Sequence, residues 1–182
     1  MNAKVSVFIA TSLDGYICRP DGGIDWLEDA HRRVPKGEDC GYEAFMGGID
    51  ALVMGRRTFE QVLGFDSWPY AKPVTVLSRG ELRIPAALTG KAAASTESPR
   101  ALVERLSRSG AKHIYVDGGL TIQSFLAAGL VDEVTITVIP VLLGAGRALF
   151  GPLAGDVKLD HLSTKAYDFG FVQNRYRIGR TP

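Results

Sequence analysis

The sequence predicts an α/β domain with a central, mostly parallel sheet flanked by helices and closed by a C-terminal antiparallel hairpin. Three observations predict it. Short apolar runs alternate with helix-like stretches, as in Ala51-Leu52-Val53-Met54 followed by Arg57 to Leu63, and His113 to Val116 followed by Leu120 to Ala128. Glycines mark the points where one kind of segment gives way to the other, at Gly55, Gly64, Gly110, Gly118 and Gly129. The tail from Lys158 onward alternates around Asp168-Phe169-Gly170, which is the pattern of two strands and a turn.

Taken in order, Lys4 to Ala10 reads as the first strand, rich in Val, Phe and Ile. A long loop runs from Leu13 to about Asp25, with Asp14-Gly15 and Asp21-Gly22-Gly23 as turn signals. Tyr42 to Met46 reads as the end of a helix stopped by Gly47-Gly48, and Ala51 to Met54 as a buried strand. After the helix from Arg57 to Leu63, Pro73 to Leu77 is the next strand and Ala92-Ala93-Ala94 a weaker one. Ser98-Pro99 starts a helix, with a capping hydroxyl and a proline in the first turn. Leu102, Val103 and Leu106 form its apolar face, and Gly110 stops it. Glu133 to Ile139 is a long β-branched strand. Repeats and linkers are absent, so residues 1–182 read as one domain.

Composition narrows the function. The chain is 46% hydrophobic and 23% charged with a formal net charge of +1, so extended nucleic-acid binding has no electrostatic basis. Cys18 and Cys40 form neither a disulfide framework nor a metal-ligand spacing, and His31, His113 and His161 are scattered; the expectation is a reducing, cytoplasmic setting and no metal. The apolar start of the chain turns polar at Thr11-Ser12, too soon for a signal peptide or a membrane span. Serine-hydrolase, phosphate-loop and zinc-deaminase motifs are missing.

What carries chemistry is a set of strand ends. Val116-Asp117-Gly118-Gly119-Leu120 leads from strand to helix, where glycines permit close approach and the helix start offers free N–H groups to a pyrophosphate. The bland alternative is a tight turn. Met54-Gly55-Arg56-Arg57-Thr58 also joins a strand to a helix, and two arginines there oppose the helix dipole unless an anion resolves the conflict. Ser78-Arg79 closes a third strand end. Ligands of open parallel sheets sit outside the carboxyl ends of the strands, so these ends converge on one polyphosphate, although solvated arginines are the common fate. Trp26 follows the glycine-rich loop and reads by itself as core.

These segments together resemble the dihydrofolate reductase fold, and more closely the C-terminal reductase domain of the bacterial bifunctional riboflavin deaminase-reductase. The resemblance rests on Ser12-Leu13-Asp14-Gly15-Tyr16-Ile17, Asp50 through Glu60, Leu77-Ser78-Arg79, Val116-Asp117-Gly118-Gly119, and Leu130 through Gly146. It implies NADPH as cofactor. Ala10 and Ile17 would border the nicotinamide, and Gly55, Arg56, Arg57 and Thr58 would hold the phosphates. Ser78 and Arg79 would contact the adenosine 2′-phosphate, and Asp117, Gly118, Gly119 and Leu120 would form the pyrophosphate turn, through a cis Gly-Gly bond. Ser124 would lie near the adenine. Trp26 and Thr137 match pocket positions. The buried acid of dihydrofolate reductase falls, by spacing back from Phe45, on Gly41; Asp39 and Glu43 flank it and are the acid candidates, Asp39 preferred because helix starts favour acids.

The implied activity is hydride transfer from NADPH to a pterin- or pyrimidine-like small molecule, resembling reduction of 5-amino-6-(5-phosphoribosylamino)uracil in riboflavin biosynthesis. Two alternatives stand beside it: reduction of dihydrofolate, and an NADP(H)-binding domain without catalysis. The apolar loop Ile139 through Gly146, with the family's habit of pairing, leads to the expectation of a homodimer, unless that loop packs on its own core.

Overall fold

The computed structural model describes residues 2–179. Along the chain run β1 (Lys4–Ser12), β2 (Tyr16–Cys18), α1 (Asp25–His31), α2 (Tyr42–Gly47), β3 (Ala51–Gly55), α3 (Arg56–Val62), β4 (Val74–Leu77), β5 (Ala92–Ser95), α4 (Pro99–Arg108), β6 (His113–Asp117), α5 (Gly119–Ala127), β7 (Glu133–Ile139), β8 (Arg147–Ala148), β9 (Leu159–Ala166) and β10 (Val172–Ile178). The main sheet has eight strands in the order β5-β4-β3-β6-β1-β7-β10-β9. Its first six strands are mutually parallel, whereas β10 is antiparallel to β7 and β9 antiparallel to β10. Parallel neighbours need crossovers, and α3, α4 and α5 serve as these in the way the alternating pattern anticipates.

Strand alternation sorts the core into two sides. Val53, Ile114 and Val116 face α4 and α5, packing with Leu102, Ile122 and Phe125. Leu52, Met54 and Tyr115 point the other way, toward Phe59 of α3 and Phe45 and Tyr42 of α2. Phe59 and Phe125 are both fully buried. Each such side chain contributes roughly 1.5–3 kcal/mol. The Ser98 hydroxyl accepts from Ala101 N at 3.3 Å and so caps α4, and Gly110 takes the positive φ of 97° that stops it.

Two elements depart from the sequence reading. The stretch from Leu13 to Asp25 is not all loop, because β2 pairs with β8 in a small second sheet. Segments of three and two residues are too short to show periodicity, and this pairing is purely tertiary. The sequence pattern does not mark helix α1 either. It has seven residues and buries only Trp26 and Ala30, a spacing of one turn that gives no extended stripe. The apolar loop after β7 divides: Val141 and Leu143 pack against the cluster around Trp26, while Leu142 is 68% exposed. Among the described residues, no helix is long and apolar enough to cross a membrane.

Candidate active site

Strands β4, β3 and β6 are adjacent and parallel, so the ends read from sequence as a convergent set lie side by side. Gly55 pairs with Leu77, and Met54 with Asp117. Glycines at these ends permit close approach. A Cβ on Gly55 would stand 2.7 Å from Thr121 Oγ1, and one on Gly119 would stand 2.7 Å from Ile17 Cδ1. A Cβ on Gly118 would collide with Thr58 Oγ1, and Gly118 has φ 88°, a conformation that L side chains rarely adopt. Ile17, Gly55, Thr58, Gly118 and Gly119 are therefore one cradle. The turn is made by the positive φ of Gly118 and not by a cis bond: among the described residues every peptide is trans.

Beside the cradle, Ser78 and Arg79 line an open cleft of about 480 Å³ together with Gly80, Glu81, Ser95 and Glu97. Glu97 is neutralised in place, since Arg105 and the Ser95 hydroxyl bind its carboxylate at 2.9 Å and 2.7 Å and hold it below the usual range. The two arginines of α3 differ. Arg56 meets Glu60 at 2.8 Å, one turn on, and donates to the Glu81 carbonyl at 3.2 Å. Part of its conflict with the helix dipole is thus resolved inside the protein, where sequence suggested an anion. Among the described residues Arg57 and Arg79 form no ion pair, and both are exposed at this edge. Ser124 is exposed on α5 and donates to the Thr121 carbonyl at 2.8 Å, and Leu120 is 70% exposed.

On the α2 and α3 side of the sheet, Asp117 meets a ring of phenols. Its Oδ1 accepts from Gly118 N at 2.8 Å; burial pushes up the hydroxyls of Tyr42, Tyr70 and Tyr115, and the charge of Asp117 adds to that. Asp117 is half-buried, and desolvation raises its carboxyl to about 6 against the pull of Gly118 N–H and Tyr115. Tyr115 donates to the Phe8 carbonyl at 2.9 Å, and Phe8 packs edge-on against Tyr42 with centroids 5.7 Å apart. Tyr70 stacks edge-on with Trp68 at 5.3 Å. Among the described residues the hydroxyls of Tyr42 and Tyr70 make no hydrogen bond.

The acids favoured from sequence lie elsewhere. Asp39 is exposed and caps α2, with its two oxygens accepting from Gly41 N at 2.8 Å and Glu43 N at 2.6 Å. Those bonds hold its carboxyl below the ordinary range, so it is charged and spent on the helix start. Glu43 is exposed in the first turn of α2. Trp26 is 4% exposed and packs with Ile139, Tyr167 and Phe171, as core, but its indole Nε1 has no acceptor. Thr137 is buried in register with Ala10 on one side and Gln173 on the other. Gln173 donates through Nε2 to Thr137 Oγ1 at 3.0 Å and to the Cys40 carbonyl at 2.9 Å, which pins the loop before α2. Cys40 holds φ 55° there, the positive-φ residue other than glycine among those described. Sequence reasoning missed Asp117 as an acid, the tyrosines and Gln173. An acid at the end of the run Ile114-Tyr115-Val116 was the available signal.

The loop bearing Ile17 is latched by Asp14. Its carboxylate accepts from Leu143 N at 3.1 Å and Gly144 N at 2.7 Å, and Ser12 Oγ donates to it at 2.6 Å. Arg147 also donates to the Pro20 carbonyl at 3.1 Å. Replacing Asp14 by Ala frees two backbone N–H groups and the Ile17 loop at once. The expected outcome is faster proteolysis between residues 13 and 25; unchanged cleavage would show the latch to be idle.

A family model described as the RibD C-terminal domain matches residues 3–172. The chain belongs to the RibD C-terminal domain family. This RibD C-terminal domain is 34% identical over 171 residues to the uncharacterized protein YwjB of Bacillus subtilis, a match covering 92% of this chain and 94% of that one. A crystal structure from Shewanella sp. PV-4, described as a candidate riboflavin biosynthesis protein, superposes with a TM-score of 0.91 at 39% identity, over 99% of this chain and 100% of that one. The deaminase/5-amino-6-(5-phosphoribosylamino)uracil reductase of Thermotoga maritima gives 0.71 at 15% identity, over 98% of this RibD C-terminal domain and 57% of that chain. Dihydrofolate reductase of Enterococcus faecalis, complexed with NADP(H), gives 0.64 at 14% over 99% and 100%. The last two show the fold, which is that of dihydrofolate reductase.

Proposed function

We propose that this protein is an NADPH-dependent reductase that adds a hydride and a proton across a C=N or C=O bond of a planar, pterin- or pyrimidine-like heterocycle. The observation that carries the reading is Asp117: a half-buried carboxyl raised to about 6, at the strand end that also forms the glycine cradle. A cofactor fits the residues present. Gly118 and Gly119 have no side chain at the turn, α5 begins there, and Arg57 and Arg79 are exposed and form no ion pair among the described residues. NADPH, when bound, supplies the hydride. Asp117 in its acid form gives its proton to the substrate nitrogen or oxygen and takes another from water once the product has left, while Tyr42 and Tyr70 orient the bound ring.

Two measurements test this. NADPH should be oxidised in the presence of dihydropterins or aminouracils, and no oxidation with any of them would sink the reductase reading. NADPH should also bind more tightly than NADH. A guanidinium–phosphate contact is worth roughly 1.5–3 kcal/mol, and exposure draws it to the low end, so Arg79→Ala should erase about tenfold of the preference at fixed salt. Equal affinity of the parent protein for both cofactors would remove Ser78 and Arg79 from this role.

A further inference from the structure

We infer that two copies of this chain pair face to face through one side of β7, β10 and β9, where an interior pattern of side chains continues past the helices that cover it. Alternation sets the two sides of these strands apart. On β10, Tyr176 and Ile178 pack against the core that holds Val5, Val7 and Val134, and Asn174 and Val172 follow on the same side. Their β9 partners are Leu159, His161, Thr164 and Ala166, and the β7 partners of Asn174 and Val172 are Ile136 and Val138. None of these side chains is an Asp, Glu, Lys or Arg. The opposite side of the same three strands carries Glu133, Asp160, Lys165, Arg175 and Arg177. Antiparallel strands with one wet face put their charges on that face, so the uncharged side has the character of an interior.

The helical layer stops short of it. Helix α5 lies over β3 and β6, and α4, packed beside it, holds Ser107 against Ala3 at the start of β1. A helix is about 10–12 Å wide. In the sheet order β10 and β9 are the second and third strands beyond β1, so they lie about 10 and about 14 Å past it. Accordingly Val172 is 36% and Leu159 45% exposed, and His161, Thr164 and Ala166 are exposed as well.

A second copy fits this surface. The polar groups at its centre bond one another: His161 Nε2 meets Thr164 Oγ1 at 2.7 Å, and that hydroxyl donates to Asn174 Oδ1 at 2.7 Å. A covering surface therefore needs little polar matching. It has to be uncharged and apolar, and the same side of another copy is both. Two-fold pairing, the commonest form of self-association, lays the side onto itself and brings no like charges together. The footprint is about 25 Å along the strands and about 15 Å across them, or about 400 Å² before side-chain relief. Phe150 and Leu153, 48% and 39% exposed, lie in the segment that joins Leu149 of the same core to β9 and add apolar surface. The sum is of the order of the ~800 Å² that each partner gives to a stable interface. The apolar loop after β7, from which pairing was expected, spends Val141 and Leu143 on the cluster around Trp26 instead.

The test is the mass in solution by sedimentation equilibrium, across micromolar concentrations. The parent protein should weigh two chains. Ala166→Arg and Val172→Lys each place a charge inside the interface, and each should raise the dimer Kd on the order of 100-fold or more. Ser163→Arg, on the opposite side of β9, should leave it unchanged. A second measurement needs no variant: in a mixture of isotope-labelled and unlabelled parent chains, filtered nuclear Overhauser contacts between chains should appear at the methyl groups of Leu159, Ala166 and Val172. A parent with the mass of one chain, a dimer that survives both charged substitutions, or contacts between chains confined to another surface would overturn the inference.

Discussion

Asp117→Asn should lower kcat by roughly 10²–10⁴, the usual worth of a positioned general acid, with a smaller change in KM. The parent rate should be flat below about pH 6 and fall tenfold per unit above it, because the acid form is the active one and the carboxyl is raised to about 6 by burial. The Asn variant should lose that limb. The same substitution should stabilise the fold. A carboxyl whose folded value lies above its unfolded value of 3.8 contributes least when charged, so stability is complete below about pH 4 and is lost as pH rises to about 6. Two units correspond to about 3 kcal/mol, so Asn should gain about 1–3 kcal/mol above pH 6 and nothing below pH 4. Thermal melts at both extremes check the sign. A variant that keeps its rate, or is no more stable at high pH, would take the proton-donor role from Asp117.

Gly118→Ala should be the most damaging small change in the cofactor cradle. Its φ of 88° costs an L residue about 1–3 kcal/mol, and the new methyl would collide with the Thr58 hydroxyl at the start of α3. Cofactor affinity should fall on the order of 10-fold or more, the equivalent of the strain placed on the turn. Combining it with Thr58→Ala separates the two causes. The double variant should recover part of the lost stability, as neighbours couple, while cofactor binding stays weak. Full recovery of binding would mean that the turn itself is not where the pyrophosphate rests.

How far the sequence reveals this molecule depends on the range of the forces involved. The parallel strands and their crossover helices were readable because each buries a periodic face, as Val53 and Ile114 do against α4 and α5 while Leu52 and Tyr115 do against α2 and α3. The cradle was readable because glycine followed by a helix start is a local pattern. The acid was not. Asp39 and Glu43 are candidates because they flank Gly41, where the resemblance places an acid, and Asp39 is preferred because helix starts favour acids; that same preference is why Asp39 is consumed as a cap. In the sequence Asp117 reads as part of a turn; its environment comes from burial and from tyrosines at positions 42, 70 and 115, which only tertiary folding assembles. The pairing of β2 with β8 and the grip of Gln173 on Cys40 are invisible for the same reason: each depends on contacts between segments more than 120 residues apart.

The two tryptophans, Trp26 beside the β7 end and Trp68 against Tyr70, both hold their indole N–H sealed from water and without an acceptor. Such indoles emit at short wavelength, where reduced nicotinamide absorbs. A chain of this length has a radius of gyration of roughly 16 Å, well inside the range of resonance energy transfer. The fold thus carries its own optical gauge. On the proposed reading, loading with the reduced dinucleotide should dim the intrinsic emission and its oxidation should restore it, and Trp68→Phe would leave a single reporter at Trp26, next to the loop that Gln173 and Thr137 hold in place.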